Sequence, residues 1–311
     1  QIGTGKLLVG NIPQSTWFDT EWFLTKGLKM PLIAAILTLV CVVTLLTYAF
    51  FWYEIDSSPY RMRLQEISRG RVGRVVLLAM LGSAMSQLLL LVCFPLQFWK
   101  ALWRPPQQPN PEQPPIFLVH GLYHNASAWV LYRWWLKRAG YANFYCWSYN
   151  SFGPSFDQIV KEFQQWVLEI MDKHAPGQKP VMIGHSLGGL IIRAHLAQST
   201  SPRQAAAVVT LGTPHQGSKL AALGIGRLAR SLIYQGELIQ KLEQDVVRDG
   251  VKRLAVLSPT DNMVLPPSAL RSIQSGWEYL ETPPISHVTL LYHWPTAKKV
   301  IQYLDDFSGS R

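Results

Sequence analysis

Cysteine is scarce in this sequence: there are three, Cys41 and Cys93 within apolar runs and Cys146 alone beyond them. That excludes a disulfide framework, and no CxxC pair or Cys/His cluster has the spacing of a zinc site, so neither a structural metal nor a cofactor is expected. Charge is scarce too. Only 15% of residues are charged against 48% hydrophobic, a balance too apolar for an ordinary soluble protein and fitting for one with membrane spans. The net charge is +10, yet no basic stripe interleaved with aromatics occurs, which argues against nucleic acid as a partner.

What is abundant is apolar length near the N-terminus. Residues 32–53 read LIAAILTLVCVVTLLTYAFFWY without a charge, and a helix of that length rises about 30 Å, the thickness of a hydrocarbon core. A signal peptide is the rival reading, but the run is longer than a signal core and no small-residue cleavage site follows. Residues 75–99, VVLLAMLGSAMSQLLLLVCFPLQFW, form a second run in which Gln87 and Pro95 are tolerable against a partner helix. Trp52, Tyr53, Phe98 and Trp99 at the ends fit an interfacial aromatic belt. The expected organisation is an N-terminal tail over 1–30, a transmembrane hairpin over 31–103, a Pro-rich linker over 104–115 and a catalytic domain over 116–311. Trp17, Phe18, Trp22 and Phe23 in the tail are read either as membrane-surface anchors or as a loose segment.

Arg61, Arg63, Arg69, Arg71 and Arg74 crowd the connecting loop, outweighing Lys26, Lys29, Lys100 and Arg104 at the outer ends. The positive-inside rule then puts the loop in the cytoplasm and everything after Trp103 across the membrane, which for a bacterial inner membrane means the periplasm.

The linker RPPQQPNPEQPP carries six prolines and almost nothing apolar, so it reads as a semi-rigid spacer. Beyond it, short apolar runs alternate with helical stretches: IFLVHG, a Trp-rich helix, NFYCWSY, a helix over about 155–174, PVMIGHS, a helix to about 198, AAVVTLGTP, an insertion, RLAVLSPTD, and VTLLYH before a last helix. Such alternation predicts an α/β fold, a mostly parallel sheet with helices on both faces, whose ligands bind at the carboxyl ends of the strands.

VMIGHSLGGL contains G-x-S-x-G as Gly184, His185, Ser186, Leu187 and Gly188, between a strand and a helix. This is a nucleophile elbow, in which small residues flank the serine because the turn is too tight for side chains there. A serine hydroxyl needs a base, itself oriented by an acid, and the chain order for this arrangement is Ser, Asp, His. His287 in PISHVTLL is the preferred base, with His293 as its rival; His174, His195 and His215 precede the acid and break the order. Asp261 in LSPTDNMVLP is the preferred acid, because Asp245 and Asp249 sit in a charged helical stretch. The oxyanion needs two backbone N–H groups, one from Leu187 and one from the HGLYHNASAW loop, where Leu122 is chosen and Tyr123 is the alternative, with His120 and Gly121 shaping the turn.

On these motifs the domain resembles bacterial lipases of the α/β-hydrolase superfamily, related to the GPI inositol-deacylase and lecithin–cholesterol acyltransferase groups. FLVHGL, IGHSLGG, TLGTPHQGS, SPTDNMV and SHVTLL match in order and spacing from Ile116 onward. TLGTPHQGS adds most specificity, since Thr213, Pro214, His215 and Gly217 match a lipase-like segment that neither elbow nor triad requires. The membrane hairpin departs from the secreted lipases. The resemblance implies an α/β-hydrolase fold, carboxylic ester hydrolysis and a lid between Gly217 and Gly250.

Leu220, Leu223, Ile225, Leu228, Leu232, Ile233, Leu238, Ile239 and Leu242 in that insertion recur at near-helical spacing, as expected either of an apolar-faced lid or of a simple cover for the sheet. With the membrane as anchor, lipid is the expected substrate, phospholipid or acylglycerol. An acyltransferase or thioesterase with the same triad, and a tethered scaffold without chemistry, are the rival readings.

Overall fold

The computed structural model describes residues 18–198, 205–245 and 250–308. Two compact units are present, one ending at Val43 and one running from Thr44. Helix α1, Phe18–Asp56, belongs to both, so the expected tail is helical from Phe18 onward, while Trp17 lies outside the described residues. In the first unit the apolar side chains Leu32, Ile33, Leu37 and Leu39 are exposed.

The larger unit begins with the rest of α1, followed by α2 (Tyr60–Ile67), α3 (Val72–Cys93), a 3-10 turn at Phe94–Phe98 and the short α4 (Lys100–Trp103). Met30–Asp56 and Val72–Phe98 are two long apolar helices, with mean hydropathy 2.5 and 2.3. Each is two-sided within this unit. Tyr48, Phe51 and Ile55, at i, i+3 and i+7, form one stripe that is buried with Val76, Ala79 and Leu265, while Leu45, Leu46, Leu77, Leu78, Leu81 and Met85 face outward. On α3 the buried positions Ala79, Ser83 and Ser86 are small, and Gly82 lies where a Cβ would touch the Thr289 hydroxyl at 3.5 Å, so the helix closely approaches the domain that follows the Pro-rich segment.

This docking revises the expected sidedness. Arg63 Nη2 lies 3.5 Å from Glu281 Oε2, the Tyr60 hydroxyl donates to the Pro259 carbonyl at 3.1 Å, and Lys219 Nζ meets both Glu54 oxygens at 2.7 and 2.9 Å. The arginine loop and the domain after the Pro-rich segment therefore lie on one side, and a hairpin held in this way does not put a bilayer between them. Counting positive charge in loops sees the arginines but not Glu281 or the buried stripe that draws them to the domain. The Pro-rich segment likewise lies along the domain: Asn143 Nδ2 donates to the carbonyls of Asn110 and Gln113 at 2.8 Å, and Gln178 Nε2 donates to the Pro111 carbonyl at 2.6 Å.

From Ile116 the chain builds a sheet of six parallel strands: β1 (Ile116–Val119), then α5 (Val130–Arg138); β2 (Phe144–Trp147), then α6 (Phe156–His174); β3 (Val181–His185), then α7 (Leu187–Gln198). After β4 (Ala207–Leu211) the insertion carries α8 (Arg227–Arg230) and α9 (Glu237–Gln244), and β5 (Lys252–Leu257), β6 (Trp277–Glu281) and α10 (Trp294–Ser308) complete the domain. Strand order is β2-β1-β3-β4-β5-β6. β1, β3 and β4 are buried along their whole length, as strands covered on both faces must be, and their near-continuous apolar sequences follow from that. Phe163, Val167, Leu190 and Ile191 of α6 and α7 close one face; Tyr132, Leu136, Val300 and Leu304 of α5 and α10 close the other. α6 starts at a capping box in which Ser155 Oγ accepts from Gln158 N–H and Gln158 Oε1 accepts from Ser155 N–H, a device worth about 1 kcal/mol.

Strand order reverses at β1, so the crevice of a doubly wound sheet opens at the carboxyl ends of β1 and β3. Two expectations change. The last strand is WEYLE at Trp277–Glu281, and VTLL forms a 3-10 turn instead, because Ser286 Oγ accepts from Thr289 N–H at 3.4 Å and starts a helical turn immediately after His287.

Candidate active site

The elbow residue Ser186 has φ +53, the left-handed conformation of a strained strand-to-helix turn. Its surroundings explain the flanking glycines. A Cβ on Gly184 would stand 2.5 Å from the Gly189 nitrogen, and one on Gly188 would collide with the Val119 carbonyl on the neighbouring strand. Ser186 N–H donates to the Leu211 carbonyl at 2.9 Å, and the Ser186 carbonyl accepts from Gly189 N–H at 3.1 Å and from Thr213 Oγ1 at 3.0 Å. β4 and the loop after it thus clamp the elbow from behind.

Asp261 and His287 meet across two loops. Asp261 Oδ2 lies 2.7 Å from His287 Nδ1, both side chains are buried, and Asp261 Oδ1 accepts from the N–H groups of Met263 and Val264, each at 2.9 Å. Those two bonds fix the carboxylate plane, leaving the other oxygen for the imidazole. The pair sits beside the elbow: a Cβ on Gly212, next to the Leu211 that holds Ser186, would lie 3.0 Å from His287 Nδ1 and 3.2 Å from Asp261 Oδ2. No hydrogen bond joins Ser186 to His287 among the described residues, and such bonds commonly tighten only with substrate bound.

His185 has a second use. Its ring is fully buried, stands 4.8 Å from that of His287, and donates through Nε2 to the His287 carbonyl at 3.3 Å. Burial holds its pKa well below the ordinary value, with the neighbouring histidines adding to the shift, so it braces the His287 segment as a neutral ring. His293 is not at the site: its Nδ1 engages Thr296 Oγ1 at 2.7 Å at the start of α10. His174 ends α6, and His195 lies in α7 against Phe163. His215 is fully buried; Arg193 Nη1 donates to its Nδ1 at 3.1 Å, which leaves the Nε2 proton for Thr210 Oγ1 at 3.1 Å. Asp245 follows α9 and Asp249 falls outside the described residues.

The two candidate oxyanion donors in the loop after β1 differ in their backbone hydrogen bonds. Tyr123 N–H donates to Ser151 Oγ at 2.9 Å and is committed, whereas the N–H groups of Leu122 and, at the first position of α7, Leu187 make no hydrogen bond among the described residues. A Cβ on Gly121 would stand 3.0 Å from both His185 Nδ1 and Ser186 Cβ, so the loop passes directly over the elbow. His120 shapes it from below: its ring stacks on Tyr149 at 4.2 Å, Nδ1 donates to the Gly121 carbonyl at 2.8 Å, and Nε2 accepts from Tyr149 N–H at 3.2 Å. Burial pushes the His120 pKa down to about 4 although the Gly121 bond opposes it.

The insertion covers part of the sheet and leaves part of its apolar surface outward. Leu228, Leu232, Ile239 and Leu242 are buried in the core beneath it, while Leu223, Ile225 and Ile233 are exposed. The Tyr123 hydroxyl joins it to the oxyanion loop, donating to the Ile225 carbonyl at 2.6 Å and accepting from Ile225 N–H at 2.8 Å, and its ring stacks on Phe152 at 5.2 Å. Arg193 on α7 ties the far end down through Glu243 at 3.0 Å and the Leu242 carbonyl at 3.0 Å. Sequence reasoning did not single out Arg193, Asn262 or Ser151; only Asn262, adjoining the acid in SPTDNMV, carried a visible cue. Among the described residues no His, Cys, Asp and Glu cluster of metal-binding geometry occurs.

Among solved structures the chain is similar to a Bacillus licheniformis lipase in mature form, at 19% identity and TM-score 0.54 over 65% of this chain and 96% of that one. It is also similar to Aspergillus fumigatus lipase B, at 16% identity and TM-score 0.56 over 65% and 55%, and to a phospholipase from Legionella pneumophila, at 18% identity and TM-score 0.52 over 63% and 61%. Identities this low establish likeness of fold. No curated protein matches the chain significantly. The family model described as "Alpha/beta hydrolase family" matches residues 116–305, the stretch that holds all six strands, the elbow and the Asp261–His287 pair, and with more than half its length so matched the chain belongs to that family.

Proposed function

We propose that this chain is a membrane-anchored serine hydrolase that cleaves carboxylic esters of lipids, phospholipid or acylglycerol, through an acyl-enzyme. The observation that carries the reading is the 2.7 Å Asp261–His287 pair beside a serine held at φ +53. Ser186 Oγ attacks the ester carbonyl while His287 Nε2 takes its proton, and Asp261 holds the Nδ1–H tautomer and stabilises the imidazolium. Leu122 and Leu187 N–H receive the oxyanion, a contribution of roughly 3 kcal/mol per donor in comparable sites. His287 then protonates the leaving alkoxide, and water resolves the acyl-enzyme by the same route.

Two features support lipid as the ester. Tyr123, in the loop that passes over the elbow, contacts Phe152 and Ile225, whose apolar side chains are exposed, and the outward faces of α1 and α3 are apolar enough to rest in a bilayer. The similar structures include lipases and a phospholipase, which agrees with that substrate class.

The test is fluorophosphonate labelling of the detergent-solubilised protein and of Ser186→Ala, with fatty acid release measured from phospholipid and triacylglycerol and a competing alcohol included. Labelling and release that vanish in the variant are expected. Folded wild type that neither labels nor releases fatty acid sinks the hydrolase reading; acyl transfer to the alcohol in preference to water turns it into a transferase.

A further inference from the structure

A chain of hydrogen bonds runs from the first apolar helix into the catalytic loops. The Thr47 hydroxyl on α1 donates to the Thr44 carbonyl at 3.2 Å, one turn back. Its lone pair accepts from Asn262 Nδ2 at 2.7 Å, and Asn262 Oδ1 accepts from His287 N–H at 3.2 Å. The direction is forced. A backbone N–H only donates, so the amide oxygen must face His287, and the amide nitrogen is left for Thr47. Asn262 adjoins Asp261 and is fully buried, so the amide has no access to solvent if either bond is lost.

Neighbouring contacts act on the same two loops. The Tyr48 and Tyr60 hydroxyls donate to the carbonyls of Thr260 and Pro259, at 3.2 and 3.1 Å, and so hold the acid loop. The Thr289 hydroxyl, two residues after the base, meets the Gly82 carbonyl at 3.1 Å and Ser86 Oγ at 3.2 Å on α3. Of these, only the Thr47 contact reaches the backbone of the base itself, through one side chain.

We propose that Thr47 is a positioning residue for the hydrolase: acting through Asn262, it sets the His287 backbone, making the apolar helix a working part of the active site as well as an anchor. This rests on the hydrolytic reading above. A base displaced by a fraction of an ångström loses its alignment with the serine proton, so the effect falls on the chemical step and leaves substrate binding nearly unchanged.

The experiment uses the full chain in detergent with a soluble 4-nitrophenyl ester, with kcat expressed per fluorophosphonate-titrated site so that a loss of folded protein does not register. Thr47→Val, which keeps shape and removes the acceptor, is expected to lower kcat about tenfold with KM changed less than about twofold. Thr47→Ser, which keeps the hydroxyl, restores kcat. Thr47→Val combined with Asn262→Leu is expected to be no slower than Asn262→Leu alone, as for two links of one chain. Tyr53→Phe, on the exposed side of the same helix, leaves kcat at the wild-type level. A Thr47→Val kcat within about twofold of wild type overturns the proposal, and so does strict additivity in the double variant. Wild type that does not label at all defeats the hydrolase reading, a result distinct from a labelling wild type whose Thr47→Val variant is equally fast.

Discussion

Thr213 and Ser186 are joined by a hydrogen bond that runs from the side chain of one to the backbone of the other: the threonine hydroxyl donates to the serine carbonyl at 3.0 Å. The same hydroxyl stands where a Cβ on Gly189 would have to go. The TLGTP segment therefore backs the turn at Ser186, and the second glycine of the GG pair is required by a residue of the next strand-end loop.

Gly189→Ala is accordingly expected to disrupt the elbow, lowering esterase turnover more than about tenfold, since overpacking at a clamped backbone has no cheap relief. Thr213→Ala on its own removes one of two donors to the Ser186 carbonyl and is milder. Combining the two recovers part of the loss, because the colliding hydroxyl is gone. Turnover on a soluble ester measures all three; a double variant worse than the sum of the singles contradicts the steric account.

Arg193 and Glu243 form an ion pair almost entirely out of solvent, with side-chain exposures of 2% and 6%. Arg193→Met leaves Glu243 as a buried, unpaired carboxylate and is expected to cost about 3–5 kcal/mol in thermal or denaturant unfolding. Arg193→Met with Glu243→Leu removes both charges and regains much of that stability. Equal destabilisation by the single and double variants counts against a role for the pair itself.

Buried histidines set a pH dependence, His120, His195 and His215 among them. Burial pushes His120 and His195 down to about 4 from an ordinary 6.5, and burial followed by the Arg193 charge holds His215 well below it. As pH falls through 6.5 the unfolded chain takes up protons at these sites while the folded chain does not, so the unfolded state is favoured. Their contribution is complete above 6.5 and is lost as pH falls toward about 4. Tm measured by calorimetry should fall over that window, and His195→Gln should flatten the fall. A Tm that rises on acidification excludes this linkage.

Much of the site was legible in the chain. The G-x-S-x-G run after an apolar strand, Asp261 past the next strand but one and His287 near the C-terminus lie in the order the elbow chemistry demands, and the structure joins the last two at 2.7 Å. Five of the six strands are apolar runs because a doubly covered parallel strand has no polar face to show. WEYLE at the sheet edge is only half-buried and carries two glutamates, and so it has no such signal, whereas VTLL, apolar and buried, is turned by Ser286.

By itself, then, the sequence determined the fold class, the G-x-S-x-G turn between strand and helix, the order of Ser186, Asp261 and His287 along the chain, and the presence of two long apolar helices, all of which are local patterns or orderings along one chain. Only the tertiary structure shows that the Tyr123 N–H is spent on Ser151, twenty-eight residues away. It alone set the arginine loop beside Glu281 and brought Thr47 to Asn262 across 215 residues of sequence. Hydrogen-bond satisfaction at a buried atom depends on what else packs there, and no spacing within a single segment records that.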